Sequence, residues 1–291
     1  MKKNLSSSIN YLCKNLDCFK TEPEEYRNEY IKPFIELVFC YNMLPDKILN
    51  KREMLPFKEF IYGEIKNKEF GTKLSYNLKA LTGVCVLEEF LLKNYRSMYK
   101  NILKSYVEYR KVDLKFERTP FRMMDTKYSL NKAGIKDNLP SYEEIYAETI
   151  LGKGLSIYYL RPMTEYSITH TIFYLTDMGR TTKYNWLLHP KVNLLEKMMM
   201  ECMLKKDLDI LGELVLCGIF LNLQSNDKFV NTLKQGYEYI EKSQDSDGSF
   251  PAPIDHKYFD RKKRFNERYH TTLVCTGVLA CFQEIKNCYN L

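Results

Sequence analysis

The sequence predicts an all-α protein, a single (α/α)6 toroid in which inner and outer rings of helices enclose a central cavity and residues 1–291 form one domain. Three observations lead there. Helical periodicity runs along the whole chain, while alternating β-branched runs bounded by turns are nearly absent. Two kinds of helix alternate. Amphipathic ones (Tyr142 to Leu151, Pro190 to Lys205, Asp227 to Gln244) are interleaved with helices apolar almost all round (Ser75 to Leu92, Tyr166 to Met178, Asp209 to Leu223, Thr271 to Phe282). A helix apolar on every side must be covered on every side, as in an inner ring. Finally, the helices count as about six pairs of roughly 40 to 50 residues, a repeat length of paired-helix arrays, and neither chain end reads as the polar cap an open array needs.

The elements follow in order. Ser7 to Phe19 aligns Ile9, Leu12, Cys13, Leu16 and Phe19, with serines as caps. Glu24 to Met43 is more apolar and is interrupted by Pro33. Phe57 to Ile65, Ser75 to Leu92, Tyr95 to Arg110 and Arg122 to Lys132 come next. SYEEIYAETILG places Ser141 three residues before Glu144, a capping-box spacing, and ends at Gly152. Tyr166 to Met178 precedes the helix opened by Pro190, and proline suits a first turn. DLDILGELVLCGIFLNL follows with almost no break, then the Asp227 helix, then one beginning near Arg268. Inner helices are expected to begin near Ser75, Tyr166, Asp207 and Arg268.

Composition narrows the function classes. The apolar fraction is 45% and the charged fraction 28%, which suits a folded core rather than disorder. No window approaches the apolar length of a membrane span, and the start MKKNLSSSINYLCKNLDCF carries two lysines without an apolar stretch. Neither a membrane span nor a signal peptide is expected, and the expected compartment is the cytoplasm. The formal charge of +7, from 44 basic and 37 acidic residues, is mild for the length. In LLKNYRSMYKNILKSYVEYRK, Tyr95, Tyr99 and Tyr106 share helical spacing with Leu92 and Ile102. A buried face opposite a solvated basic face explains that tract, so no nucleic-acid partner is expected. DRKKRFNERYH, close to His270, would instead draw an anionic ligand. The nine cysteines are odd in number and form no C-x-x-C pair, which favours reduced, buried thiols over a zinc ribbon or disulfide framework.

Several segments resemble known families. KSQDSDGSFPAP, with Gln244, Asp247, Gly248, Ser249 and Phe250, resembles the Q-x-x-D-G-S-F/W motif of terpene cyclases and protein prenyltransferase β subunits. There the motif closes an outer helix and turns the chain toward the next inner one. RYHTTLVCTGVLAC resembles the prenyltransferase motif Y-H-T-C-Y-x-L-S-G-L, whose histidine is a zinc ligand, and His270 is the matching position. The other zinc ligands there are an Asp-x-Cys pair; Asp207 and Asp209 stand in the similar place and the cysteine is missing. The D-x-D-D acid motif of squalene-type cyclases is also missing. A longer part of the chain resembles the bacterial family of unknown function DUF6895. ERTPFRMMDTKYSLNKAGI, THTIFYLTDMG, DLDILGEL and YHTTLVCTGVLA carry that resemblance across most of residues 117 to 281. It implies which polar residues belong together and implies no activity.

In a toroid the starts of inner helices converge on one rim. Four polar clusters are expected there: Arg118 and Arg122 with Asp125, Tyr166 with His170, Asp207 with Asp209 and Glu213, and Tyr269 with His270. A histidine in the first turn of a helix would be held neutral by the dipole, which suits a base or a metal ligand. His170, His270 and Asp209 form the expected catalytic set, working by acid/base chemistry or, with two imidazoles and a carboxylate, holding a metal such as zinc. Two satisfied core histidines explain the same pattern without any site. Arg122, Asp125, Tyr166, Asp207 and Tyr269 are the expected substrate-binding residues, Arg122 gripping an anionic group. His189 reads as a loop residue, Asp177 as a helix end or a bond to another helix rather than a catalytic group, and His256 as part of a loop from Pro251 to Arg264 placed to lid the cavity. No phosphate loop, G-x-S-x-G elbow or H-E-x-x-H motif occurs. The expected function is an enzyme of bacterial specialised metabolism acting on a small molecule or modified peptide. The alternatives are a non-catalytic ligand- or peptide-binding protein on the same scaffold, and a carbohydrate-active toroid pairing Asp125 with Asp209.

Overall fold

All fourteen residues of the helix Leu208–Leu221 are buried. That is the structural counterpart of its apolar sequence, and the helices that cover it organise the region around it. The structure is a computed structural model that describes residues 3–20, 31–67, 70–75, 77–154, 156–159, 161–223, 226–253 and 260–285. Among these the chain is all-helical and contains no strand. The longer helices are α1 (Lys3–Lys14), α2 (Lys32–Met43), α3 (Leu55–Asn67), α4 (Leu81–Asn94), α5 (Pro120–Lys132) and α6 (Tyr142–Glu148). They continue with α7 (Pro162–Leu175), α8 (Val192–Lys205), α9 (Leu208–Leu221), α10 (Asp227–Lys242) and α11 (Arg261–Ile285). The described residues gather into two units. One draws on Met1–Lys58, Ile157–Tyr159 and Thr176–Leu291, the other on Glu59–Ser156 and Leu160–Leu175.

In the first unit α9 packs on α8, α10 and α11, and α11 packs in turn on α1 and α2. α10 shows how an amphipathic helix closes this core: Phe229, Leu233, Tyr237 and Ile240 are buried along one stripe, and Asn226 caps the start by accepting from the Phe229 amide at 3.1 Å. Gly212 sets the spacing of α9 and α11. A Cβ there would lie 2.7 Å from Val274 Cγ1, so glycine makes room for the Val274 side chain of α11. The turn QDSDGSF is structural, as its Asp-Gly chemistry predicts. Asp247 Oδ1 accepts from the Ser249 amide at 3.0 Å, Gly248 has φ +94°, and Phe250 is fully buried with its amide donating to Thr272 Oγ1 at 3.1 Å. Gln244 Nε2 ties the turn to α1 by donating to the carbonyls of Asn4 and Gly248.

In the second unit α5 packs on α4, α6 and α7. The expected capping box is formed: the Glu144 amide donates to Ser141 Oγ at 3.2 Å and the Ser141 amide donates to Glu144 Oε2 at 2.7 Å. Two buried carboxylates hold loops. Glu88 accepts from the amides of Met98 and Tyr99 and from the Ser97 hydroxyl, and Asp113 accepts from the amide and side chain of Asn138.

Several helix boundaries differ from the sequence expectation. Pro33 does not interrupt a helix. It lies in the first turn of α2, where its missing N–H costs nothing; the expected start at Glu24 lies outside the described residues. α4 begins at Leu81 after short 3-10 turns rather than at Ser75. No continuous helix spans Tyr95 to Arg110, because Glu88 captures the amides of 98 and 99. α-Helix runs only over Lys100–Lys104 and passes into a π-turn at Ser105–Tyr109. Its buried face is Tyr99, Leu103 and Val107, while Leu92 is exposed. α7 starts at Pro162 and α11 at Arg261, each well before its histidine. Asp177 lies just past the end of α7, in a turn where Asp177, Met178 and Gly179 are all at positive φ.

Candidate functional site

α11 carries His270 in its third turn. The sequence expectation of a first-turn histidine, and with it the dipole argument for a neutral ring, therefore does not apply. Carboxylates from two other helices surround the ring instead. Its Nδ1 lies 3.2 Å from Glu36 Oε2 on α2, and its Nε2 lies 3.6 Å from Asp209 Oδ1 and 3.8 Å from Glu213 Oε1 on α9. Asp209 and Glu213 flank Gly212, so the close α9–α11 approach brings both acids to His270. Tyr269 Oη donates to the same Glu36 Oε2 at 2.9 Å, and Thr271 Oγ1 donates to Asp209 Oδ1 at 3.2 Å. Lys32 reaches the other Glu36 oxygen at 3.6 Å from one turn away.

The electrostatics follow from that geometry. Burial opposes a charge on His270, but the Glu213 and Glu36 carboxylates at its two nitrogens and the charge of Asp209 outweigh it, and its pKa is raised well above the ordinary value. The surrounding carboxylates thus favour the imidazolium form of the ring. Burial likewise opposes the charge on Glu36, yet His270, Lys32 and Tyr269 hold its carboxyl below the usual range. Tyr269 is pushed up by burial and by Glu36, and Cys40, one turn after Glu36, by burial and by Glu36 and Glu213. The side chains of His270 and Glu36 are 29% and 23% exposed, against 8% and 3% for Asp209 and Glu213. The cluster is thus buried on its α9 side and open to solvent at the imidazole and Glu36. On its other side, past Cys40, α2 and α11 enclose an apolar cavity of about 30 Å³ lined by Leu37, Cys40, Leu273 and Gly277 among others.

His170 belongs to the second unit, in the middle of α7, where four aromatic rings surround it. Those of Phe173, Tyr174, Tyr166 and Phe121 have centroids 5.6, 6.0, 6.1 and 6.5 Å from its own. Its Nδ1 lies 3.3 Å from Thr169 Oγ1. Asp125 on α5 has Arg122 Nη1 at 3.5 Å and accepts a hydrogen bond from Tyr174. Burial raises the Asp125 carboxyl above its ordinary value, only partly offset by the charges of Arg122 and His170. Arg122 lies over the Phe121 ring at 5.0 Å, while Arg118 turns to the Asp113 carbonyl.

Of the expected residues, the first unit brings together His270, Tyr269 and Asp209, and the second His170, Tyr166, Asp125 and Arg122. Asp125 and Asp209, the carboxylate pair of the carbohydrate-active reading, lie in different units. Asp207 caps α9, its Oδ1 accepting from the Ile210 amide at 3.2 Å. His189 is exposed in a short 3-10 turn, and His256 lies outside the described residues. Among the described residues, no group of three His, Cys, Asp or Glu side chains is arranged to hold a metal ion, and the described cysteines are free. Sequence reasoning missed Glu36 and Tyr174. Glu36 is the one acid of an apolar helix, a signal masked by its i,i+4 spacing to Lys32. Tyr174 stands one turn after His170.

The family described as "Domain of unknown function (DUF6895)" matches residues 5–280. The chain belongs to the DUF6895 family. No curated protein and no solved structure matches it. The matched segment includes the residues of both clusters, from Glu36 to His270. Among the described residues no helix is long and apolar enough to cross a membrane.

Proposed function

We propose that the chain is an enzyme acting on a small molecule or modified peptide by acid/base chemistry, with His270 as the proton donor. The observation that carries this is the unequal hold on the two imidazole nitrogens. Nδ1 is within hydrogen-bond distance of Glu36, which fixes the ring, in the way a carboxylate orients the histidine of a catalytic triad. Nε2 faces Asp209 and Glu213 at 3.6 and 3.8 Å, a longer and looser hold than the one Glu36 has on Nδ1. A ligand atom can take the Nε2 proton in exchange for this looser contact, and the Asp209 carboxylate can accept a proton from the ligand and pass it to the neutral imidazole, which closes the cycle. A raised pKa makes His270 an acid at neutral pH rather than the base or metal ligand its sequence position suggested. The scaffold we propose remains a closed ring of paired helices of the terpene cyclase and prenyltransferase kind, supported by the wholly buried α9 between the amphipathic α8 and α10.

A second reading, non-catalytic binding, is favoured by the aromatic surroundings of His170, which suit a flat or cationic group. One experiment separates the two. Small-molecule extracts are incubated with the wild-type chain, His270→Gln and Asp209→Asn, and substrate loss is followed by mass spectrometry, with melting curves confirming that each variant folds. The acid/base reading expects a compound consumed by the wild type and about 10²–10⁴-fold more slowly by His270→Gln. Equal consumption by both, or consumption of nothing, would overturn it.

A further inference from the structure

The first unit exposes large apolar side chains among lysines. α8 buries Val192, Leu195, Met198, Met199 and Cys202, and its opposite stripe carries Lys197, Met200 and Leu204, the last 85% exposed. The Ile157–Tyr159 turn packs on α8 and exposes Tyr158 (86%) and Tyr159, while the Asn185–Leu188 turn just before α8 exposes Trp186 (67%). Between residues 183 and 206 the chain has five lysines and two glutamates. Of the glutamates, Glu196 is buried against Lys228, and Glu201 pairs with Lys205 on the same helix. The outward charge of the segment is therefore positive.

We propose that this surface docks on an anionic phospholipid bilayer. Tryptophan and tyrosine rings are favoured at the headgroup level, methionine and leucine just beneath it, and lysines spread their stems over apolar surface while their ammonium groups meet lipid phosphates. The charge also selects this occupant over a second copy of the chain, because a two-fold interface would set the same lysines against one another. Attachment is peripheral, resting on side chains of α8 and its neighbouring turns.

Trp186 is the only tryptophan of the chain, so intrinsic fluorescence reads this surface directly. The full chain is titrated with phosphatidylcholine vesicles, with and without phosphatidylglycerol. Docking predicts a blue shift with the anionic vesicles alone, reversed by high salt, which shortens the screening length to about 3 Å at 1 M. Lys183→Gln and Lys197→Gln should each weaken binding about fivefold, and Leu204→Ser should weaken it further without altering the melting curve. Equal shifts with neutral vesicles, or no shift with either, would overturn the proposal. So would a shift that grows with protein concentration in the absence of vesicles, since a second copy would then be the occupant.

Discussion

Replacing Gly248 by alanine tests how the turn before α11 is held. At φ +94° an L-residue is strained, which costs about 1–3 kcal/mol. The added Cβ would also lie 2.6 Å from the carbonyl carbon of Ser7 on α1, and closer still to its oxygen. Both are backbone atoms, so relief requires the turn and α1 to part, at a further cost of about 1–3 kcal/mol. That movement would stretch the Gln244 bonds to Asn4 and Gly248, so the total should reach at least about 3 kcal/mol. At about 2–4 °C per kcal/mol for a unit of this size, the melting temperature should fall by about 6–12 °C, measured by circular dichroism beside the wild type. Arg268, bonded to Ser249 Oγ at 3.0 Å, lies two residues before His270, so the loss should extend to the site-bearing helix. A melting temperature within about 2 °C of wild type would refute this account of the turn.

Other predictions concern charge and caps. The folded pKa of His270 is raised, so its stabilisation is complete below its unfolded pKa of about 6.5 and is lost as pH rises through the folded value. His270→Gln should accordingly be less stable than wild type in urea melts at pH 6, with the gap narrowing in alkaline solution; a gap independent of pH would contradict this. Asp125 is an acid with a raised folded pKa, so its charge costs stability as pH climbs above about 4. Asp125→Asn should match or exceed the wild-type melting temperature at pH 7 and lose that advantage at pH 4; a large loss at pH 7 would contradict burial as the dominant cause. Glu88→Ala should cost about 2–4 kcal/mol in denaturant melts, because the amides of Met98 and Tyr99 and the Ser97 hydroxyl lose their acceptor. Ser141→Ala should cost about 1 kcal/mol, and no change in the melt would mean that the exposed capping box contributes nothing.

Features set by neighbours in sequence were legible; those set across helices were legible only in part. The Ser141–Glu144 box, the Asp-Gly turn at 248 and the all-apolar α9 depend on local spacing, and each appears in the structure. Asp209 and His270 were expected together and do meet, because both stand on helices whose apolar faces must pack. The start of α11 was hidden because Arg261 to Glu267 is so charged that it reads as loop. Only Phe265 and Tyr269, one turn apart and both buried, betray the helical face. Those hidden residues, about two helical turns, reversed the inferred protonation of His270. Glu36 was hidden for a different reason: an acid with a lysine four residues before it looks like a surface pair, and nothing nearby in sequence announces an imidazole more than two hundred residues away.

The direct test is the protonation of His270 itself. In a chain with ¹⁵N-labelled histidine there are four imidazoles, and His270→Gln identifies the one of interest. A pH titration followed by NMR should find both ring nitrogens of His270 protonated at pH 7.5, with the ring still charged where an unperturbed histidine is mostly neutral. A His270 that titrates at or below about 6.5, with a single protonated nitrogen at pH 7.5, would contradict the carboxylate-held imidazolium and with it the assignment of His270 as the proton donor.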